Sequence, residues 1–171
     1  TRIGYVGYDF QMERLGERLE SYCRALRAHG LPVDPRYIID EGNAVDPGYA
    51  AVEKLLELEE RPTAIQCMNE YCAQGAYLAL MERGLRIPED MSVSAFDGQR
   101  SARVLRPRLT TIATPIRQLA ESAADLLLNR IQGVSGQSCQ DIVLPVSFRD
   151  GDSVRDLCRD AASCAGAGKG T

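Results

Sequence analysis

The amino-acid sequence predicts an α/β fold: a doubly wound, mostly parallel sheet with helices on both faces. Two observations carry that prediction. Over the first hundred residues, short β-rich apolar runs alternate with runs whose apolar residues recur every three or four positions, a βαβαβαβ order that calls for parallel strands joined by helical crossovers. Each helical run also closes on glycine or proline (Gly30 with Pro32, Pro62, Gly84) just before the next strand-like run.

The elements follow in order. Residues 2–8 (RIGYVGY) read as a strand, and 13–29 as a helix with Leu15, Leu19, Tyr22, Cys23 and Leu26 on one face. Residues 36–40 (RYIID) read as the second strand. Asp46 is expected to cap the next helix and Pro47 to take its first position, where a missing N–H costs nothing. That helix runs to about Glu60, with Val52, Leu55, Leu56 and Glu59 in register. Residues 64–68 (AIQCM) read as a buried strand. Residues 70–83 form a helix with Ala73, Ala76, Tyr77 and Leu80 on one face, and its small residues (Ala73, Gly75, Ala76, Ala79) predict close packing on the sheet. Residues 92–96 (SVSAF) are the fourth strand.

The pattern then changes. Residues 99–109 are basic and irregular, and 110–112 form a short strand. A helix is expected over 115–132, with Leu119, Ala123, Leu126, Leu127 and Ile131 aligned, then a polar loop at 134–141 and a last strand at 142–148 (IVLPVSF). The tail at 161–171, small and low in complexity, is expected to be disordered.

Composition narrows the function. A chain of 171 residues makes one domain or two small lobes. With 44% hydrophobic residues and no Trp, its core should be aliphatic. A net charge of −4 argues against this chain gripping nucleic acid by itself. Six cysteines without a CxxC pair, and a single histidine (His29, expected to meet a helix dipole), give neither metal-ligand spacing nor a disulfide framework. No metal or cofactor is expected. No apolar run approaches the ~18 residues of a membrane helix. The chain has no signal-peptide pattern and opens on a strand without Met, so it reads as a piece of a longer, soluble, cytoplasmic protein.

Several segments, in order, carry a family likeness. Residues 17–26 (ERLESYCRAL) with Gly30, 61–65 (RPTAI) with Asn69, Glu70 and 73–76 (AQGA), 84–93 (GLRIPEDMSV), Ala95-Phe96-Asp97 and Leu109-Thr110-Thr111-Ile112 together resemble the effector-binding region of LacI/GalR bacterial transcriptional regulators. The likeness covers about residues 2–150; 84–93 is its most distinctive piece. Glu70 stands where the family has Asp, and Ser21 and Ala95 where it has glycines. The family's sensor is similar to periplasmic sugar-binding proteins, with two Rossmann-like lobes joined by three crossing segments. The resemblance implies a C-terminal lobe over 1–109, an excursion into the N-terminal lobe over 110–141, and a return strand with the end of the C-terminal lobe over 142–160. It also implies a small-molecule effector, a homodimer, and operator DNA contacted only through an N-terminal head not contained in this sequence. The same fold also serves periplasmic sugar-binding proteins of transport systems; residues 84–93 and 109–112 favour the regulator. An enzyme finds little support, for no glycine-rich phosphate loop or serine elbow is present.

In open parallel sheets, ligands bind beyond the carboxyl ends of the strands. The 9–14 and 41–46 loops, Asn69 and Asp97 are therefore the candidates. Arg18 matches the family's effector-contacting arginine. Its planar fork suits paired hydroxyls, a carboxylate or a phosphate, and no acidic residue lies three or four positions away to occupy it. Asp97 can accept two sugar hydroxyls. Asn69 offers an amide there and is also a natural helix cap. Asn43 stands where sugar- and purine-binding relatives often carry a stacking aromatic, which leaves Phe10 as the candidate to stack. The basic run Arg100, Arg103, Arg106 and Arg108 is read as a solvated loop or a contact to the other lobe.

Overall fold

The computed structural model describes residues 2–7, 16–98, 104–133 and 141–157. Its centre is one six-stranded sheet in the order β2-β1-β3-β4-β5-β6. The strands are β1 (Ile3–Val6), β2 (Ile38–Ile39), β3 (Ala64–Cys67), β4 (Ser92–Asp97), β5 (Thr110–Ala113) and β6 (Ser147–Arg149). The first five are parallel, and β6 runs antiparallel to β5 with Thr111 opposite Arg149 and Ala113 opposite Ser147. The helices are α1 (Gly16–Ala28), α2 (Val45–Leu56), α3 (Glu70–Glu82) and α4 (Ile116–Ile131). The predicted α/β class and parallel order are those of the molecule.

Side-chain alternation along the strands divides the helices between two faces. Val6, Ile65, Cys67, Val93 and Ala95 point into a buried core shared with Val52, Leu55 and Leu56 of α2 and Ala73, Ala76 and Leu80 of α3. Each fully buried Val, Leu or Ile among them contributes about 1.5–3 kcal/mol by leaving water. On the opposite face, Tyr5 packs against Tyr22 of α1 with ring centroids 5.1 Å apart, and the Tyr22 hydroxyl donates to the Ile3 carbonyl at 2.7 Å. The small residues of α3 serve a helix as well as the sheet: a Cβ on Gly75 would lie 2.1 Å from the Val45 carbonyl oxygen, so α2 and α3 touch backbone to backbone.

Four expectations change in detail. The second strand shrinks to two residues because Asp34 accepts the Arg36 amide at 2.9 Å and starts a 3-10 turn, Pro35–Tyr37, in its place. Asp46 is not the cap of α2; Ala44 holds that position without a side-chain bond, and Asp46 and Pro47 sit inside the first turn. Proline is tolerated there because the early N–H groups have no intrahelical partner. The last strand occupies 147–149 and not 142–148, since β5 ends at Ala113 and Pro145 has no N–H to pair. The strand at 110–113 lies in the main sheet, so the chain leaves it only after Ala113.

Beyond β6 the chain is fastened back onto the sheet. Ser153, fully buried, donates from Oγ to the Val93 carbonyl at 2.6 Å and accepts from the Thr110 amide at 2.8 Å. By contrast α4 has no buried residue, and Ile116, Leu119, Leu127, Leu128 and Ile131 are all exposed. The tail expected to be disordered lies outside the described residues.

Candidate functional site

The site grows from the carboxyl ends of β1, β3 and β4. Gly7 follows β1 at φ +97°, and a side chain there would collide with the Cys72 sulfur at 2.5 Å. Only glycine lets the chain turn so close to α3. Two residues into α1, Arg18 reaches across two strand ends. Its Nη1 donates to the carbonyl of Met68, just past β3, at 2.6 Å, and its Nη2 to Oδ1 of Asp97, the last residue of β4, at 3.1 Å. The guanidinium carbon sits 5.0 Å from the Phe96 ring centroid. The two charged side chains remain 26% and 24% exposed, so the pair is open to a ligand.

Asn69, buried, follows Met68 at the start of α3. Its Oδ1 accepts the Cys72 amide at 2.9 Å, which caps the helix, and its Nδ2 donates to the Asn43 carbonyl at 2.8 Å. One amide therefore joins the strand end to the loop before α2, on which the Asn43 side chain is exposed. Arg18, Asp97, Asn69 and Asn43 thus gather at one end of the sheet, as the strand-end rule predicts. Phe10 lies outside the described residues, as do Arg100 and Arg103. Of the other basic residues, Arg106 donates to the Leu105 carbonyl and Arg108 pairs with Asp152 at 3.0 Å. His29 contacts the Ala25 carbonyl at 2.9 Å through Nδ1, at the end of α1.

Beside Asp97 opens a hollow of about 950 Å³, lined by Gly98, Thr114, Arg117, Ser147 and Arg149 among others. Asp97 itself has φ +86°, in the left-handed region, and Gly98 follows at +54°. Thr114 donates to the Asp97 carbonyl from its amide and hydroxyl at 3.4 and 3.3 Å, and Arg149 donates to the Gly98 carbonyl at 2.9 Å. Both segments that run between the sheet and α4 are therefore tied to the peptide carrying the site carboxylate. Sequence reasoning missed Met68, Phe96, Thr114 and Arg149. Thr114 directly follows a strand and the strand-end rule would have found it; Arg149 and the Met68 carbonyl give no sequence signal.

The thiols near the site are held protonated. Burial pushes Cys72 up to about 11 and raises Cys67 well above the ordinary thiol range, and both are free thiols. Among the described residues, no group of three or more His, Cys, Asp or Glu side chains could hold a metal ion, and no helix is long and apolar enough to cross a membrane.

The family model for the periplasmic binding protein-like domain matches residues 1–154. The chain belongs to that family. Its relatives there include LacI-type regulators. It is 37% identical over 132 residues to the transcriptional repressor CytR of Escherichia coli K12, covering 77% of this chain and 39% of that protein. It is 34% identical over 152 residues to the repressor PurR of Haemophilus influenzae, covering 86% of this chain and 45% of that protein. The chain thus spans less than half the length of these curated relatives. Among solved structures, a LacI family regulator from Enterococcus faecium with bound ribose superposes with a TM-score of 0.84 at 31% identity, covering 91% of this chain and 57% of that one. This periplasmic binding protein-like domain is accordingly of the LacI/GalR effector-binding type.

Proposed function

We propose that this periplasmic binding protein-like domain senses a small polar effector, a sugar or related metabolite, for a transcriptional regulator. The observation that carries this reading is the partly exposed Arg18–Asp97 pair at the strand ends, with Asn69 next to the Met68 carbonyl that Arg18 also holds. A guanidinium and a carboxylate side by side offer donors and acceptors to vicinal hydroxyls, and Asn43, and Phe10 from the sequence ahead of α1, would border the same ligand. No group in this set is an activated nucleophile, so the role is binding and not turnover.

A second lobe would supply the other wall. The uncovered apolar side of α4 is what a helix belonging to that lobe would present, which supports an excursion within 110–141 that begins once the chain leaves β5 after Ala113, between C-terminal-lobe segments near 1–109 and 142–160. The effector would favour one lobe arrangement by its differential affinity and so alter operator binding, which is carried by a head outside this acidic chain. Tyr71, Leu78, Met81 and Val104 form an exposed apolar surface beside a hollow at Leu85 that suits self-association as a homodimer. A regulator of this kind works in the cytoplasm, where its operator is.

Calorimetric titration of the full-length protein against sugars and nucleosides, run alongside fluorescence anisotropy on operator DNA, tests the reading. At least one compound should bind and shift operator affinity about 5–150-fold. Absence of any compound that does both refutes it.

A further inference from the structure

The hollow beside Asp97 carries more positive charge than a neutral sugar needs. Arg117 and Arg149 line it, with the Thr114 and Ser147 hydroxyls and the Gln118 amide between them. Among the described residues Arg117 makes no ion pair, and Arg149 spends one N–H on the Gly98 carbonyl and makes no ion pair. Among the described residues the only acidic lining residue is Asp97, whose charge is already matched by Arg18. Among the described residues, two guanidinium groups therefore face this hollow without an ion pair, in a chain whose net charge is −4. Some exposed arginines elsewhere are neutralised by carboxylates, Arg36 by Asp34, Arg86 by Asp90 and Arg108 by Asp152. The field in this hollow favours an anion, and α4 begins at its wall without a side-chain cap, which adds to the same sign.

We infer that the effector bears an anionic group, a phosphate or a carboxylate, which lies between Arg117 and Arg149 while its hydroxyls meet Arg18 and Asp97. The inference rests on the sensing function proposed above and specifies its ligand. Planar forks grip oxyanions through paired, charge-assisted bonds, and the flanking hydroxyls can donate to the remaining oxygens.

The test is calorimetric titration of the full-length protein with D-ribose, D-ribose 5-phosphate, D-ribonate and inorganic phosphate. The same series is run on Arg117→Gln, Arg149→Gln and Arg149→Lys, with operator anisotropy measured in parallel. Both arginines are exposed, so the variants should fold, and a melting curve checks this. The expected result is an affinity for one charged sugar about tenfold or more above that for ribose. Both glutamine variants should lose that preference and Arg149→Lys should keep part of it. The phosphate and carboxylate arms tell the two anions apart. Equal affinity for ribose and its charged forms, a preference untouched by the glutamine variants, or no binding below about 10 mM overturns the inference. If ribose binds without anion preference yet shifts operator affinity, the sensing function stands and the anion site falls. If the preference is present and lost in the variants while operator affinity never moves, the anion site stands and sensing falls.

Discussion

Arg18 and Asp97, 79 residues apart in the chain, meet at 3.1 Å across the ends of β3 and β4. A charge pair of this kind, part in water and part on an aromatic ring, adds little to folding but presents a fixed donor–acceptor edge to solvent. Replacing Asp97 by Asn should change stability by less than about 1 kcal/mol. It should weaken effector binding about 10- to 100-fold, the worth of one hydrogen bond to a charged group. Asn is the right probe because it tolerates the left-handed backbone; Asp97→Ala adds about 1–2 kcal/mol of strain. Paired urea denaturation and calorimetry separate the two effects.

Asn69 should behave oppositely, as a residue whose loss is felt first in folding. Asn69→Ala removes the cap of α3 and the bond to the Asn43 carbonyl, at a cost of about 2 kcal/mol. Asn69→Asp keeps the acceptor and should lose less. If the alanine variant unfolds at the same urea midpoint as the parent, the cap is not the anchor described here.

Gly75 and Gly84 offer a matched contrast. An added methyl at Gly75 meets backbone at 2.1 Å, whereas at Gly84 it meets nothing within 4 Å and only the φ of +69° opposes it. Gly75→Ala should cost about 3 kcal/mol by forcing α2 off α3. Gly84→Ala should cost about 1–2 kcal/mol from backbone strain alone. Thermal melting of the two variants should rank them in that order.

Asp90 gives a pH signature. Its carboxylate accepts the Arg86 amide and guanidinium, and those hydrogen bonds lower it to about 2 from its ordinary 3.8. A folded value below the unfolded one means the ionised form is favoured by folding. The contribution is complete above about pH 4 and fades as pH falls toward 2. Asp90→Asn should differ from the parent in urea midpoint at pH 6, less at pH 3, and hardly at pH 2.

What the sequence reveals and what it hides divide along physical lines. The run of elements from β1 to β4 is legible because periodicity and breakers are local. Asp97 and Asn69 are legible because strand ends in a parallel sheet must face one side, and Arg18 because it matches an arginine of the family that the sequence resembles. That Arg18 would bind Asp97 and a carbonyl is not legible, since the partners come from two later strands and one of them is backbone. The start of α2 was misplaced because proline fits anywhere in a first turn and so cannot fix the register at Asp46. The last strand was drawn too long because its apolar run continues past the point where β5 stops offering partners. Phe10 falls outside the described residues, and the part it plays rests on sequence alone.

Ser153 has a consequence for biogenesis. The hydrogen bonds that complete the edge of the sheet at Val93 and Thr110 come from a residue made 43 positions after Thr110. During translation, β1 through β4 and their helices can settle as soon as they emerge, but the flank at β5 stays unfinished until that serine arrives. Throughout this interval a nascent strand edge and the bare side of α4 are displayed together, which is the state chaperones are built to shield. A stop codon anywhere between α4 and Ser153 should therefore yield insoluble protein, not a smaller working one.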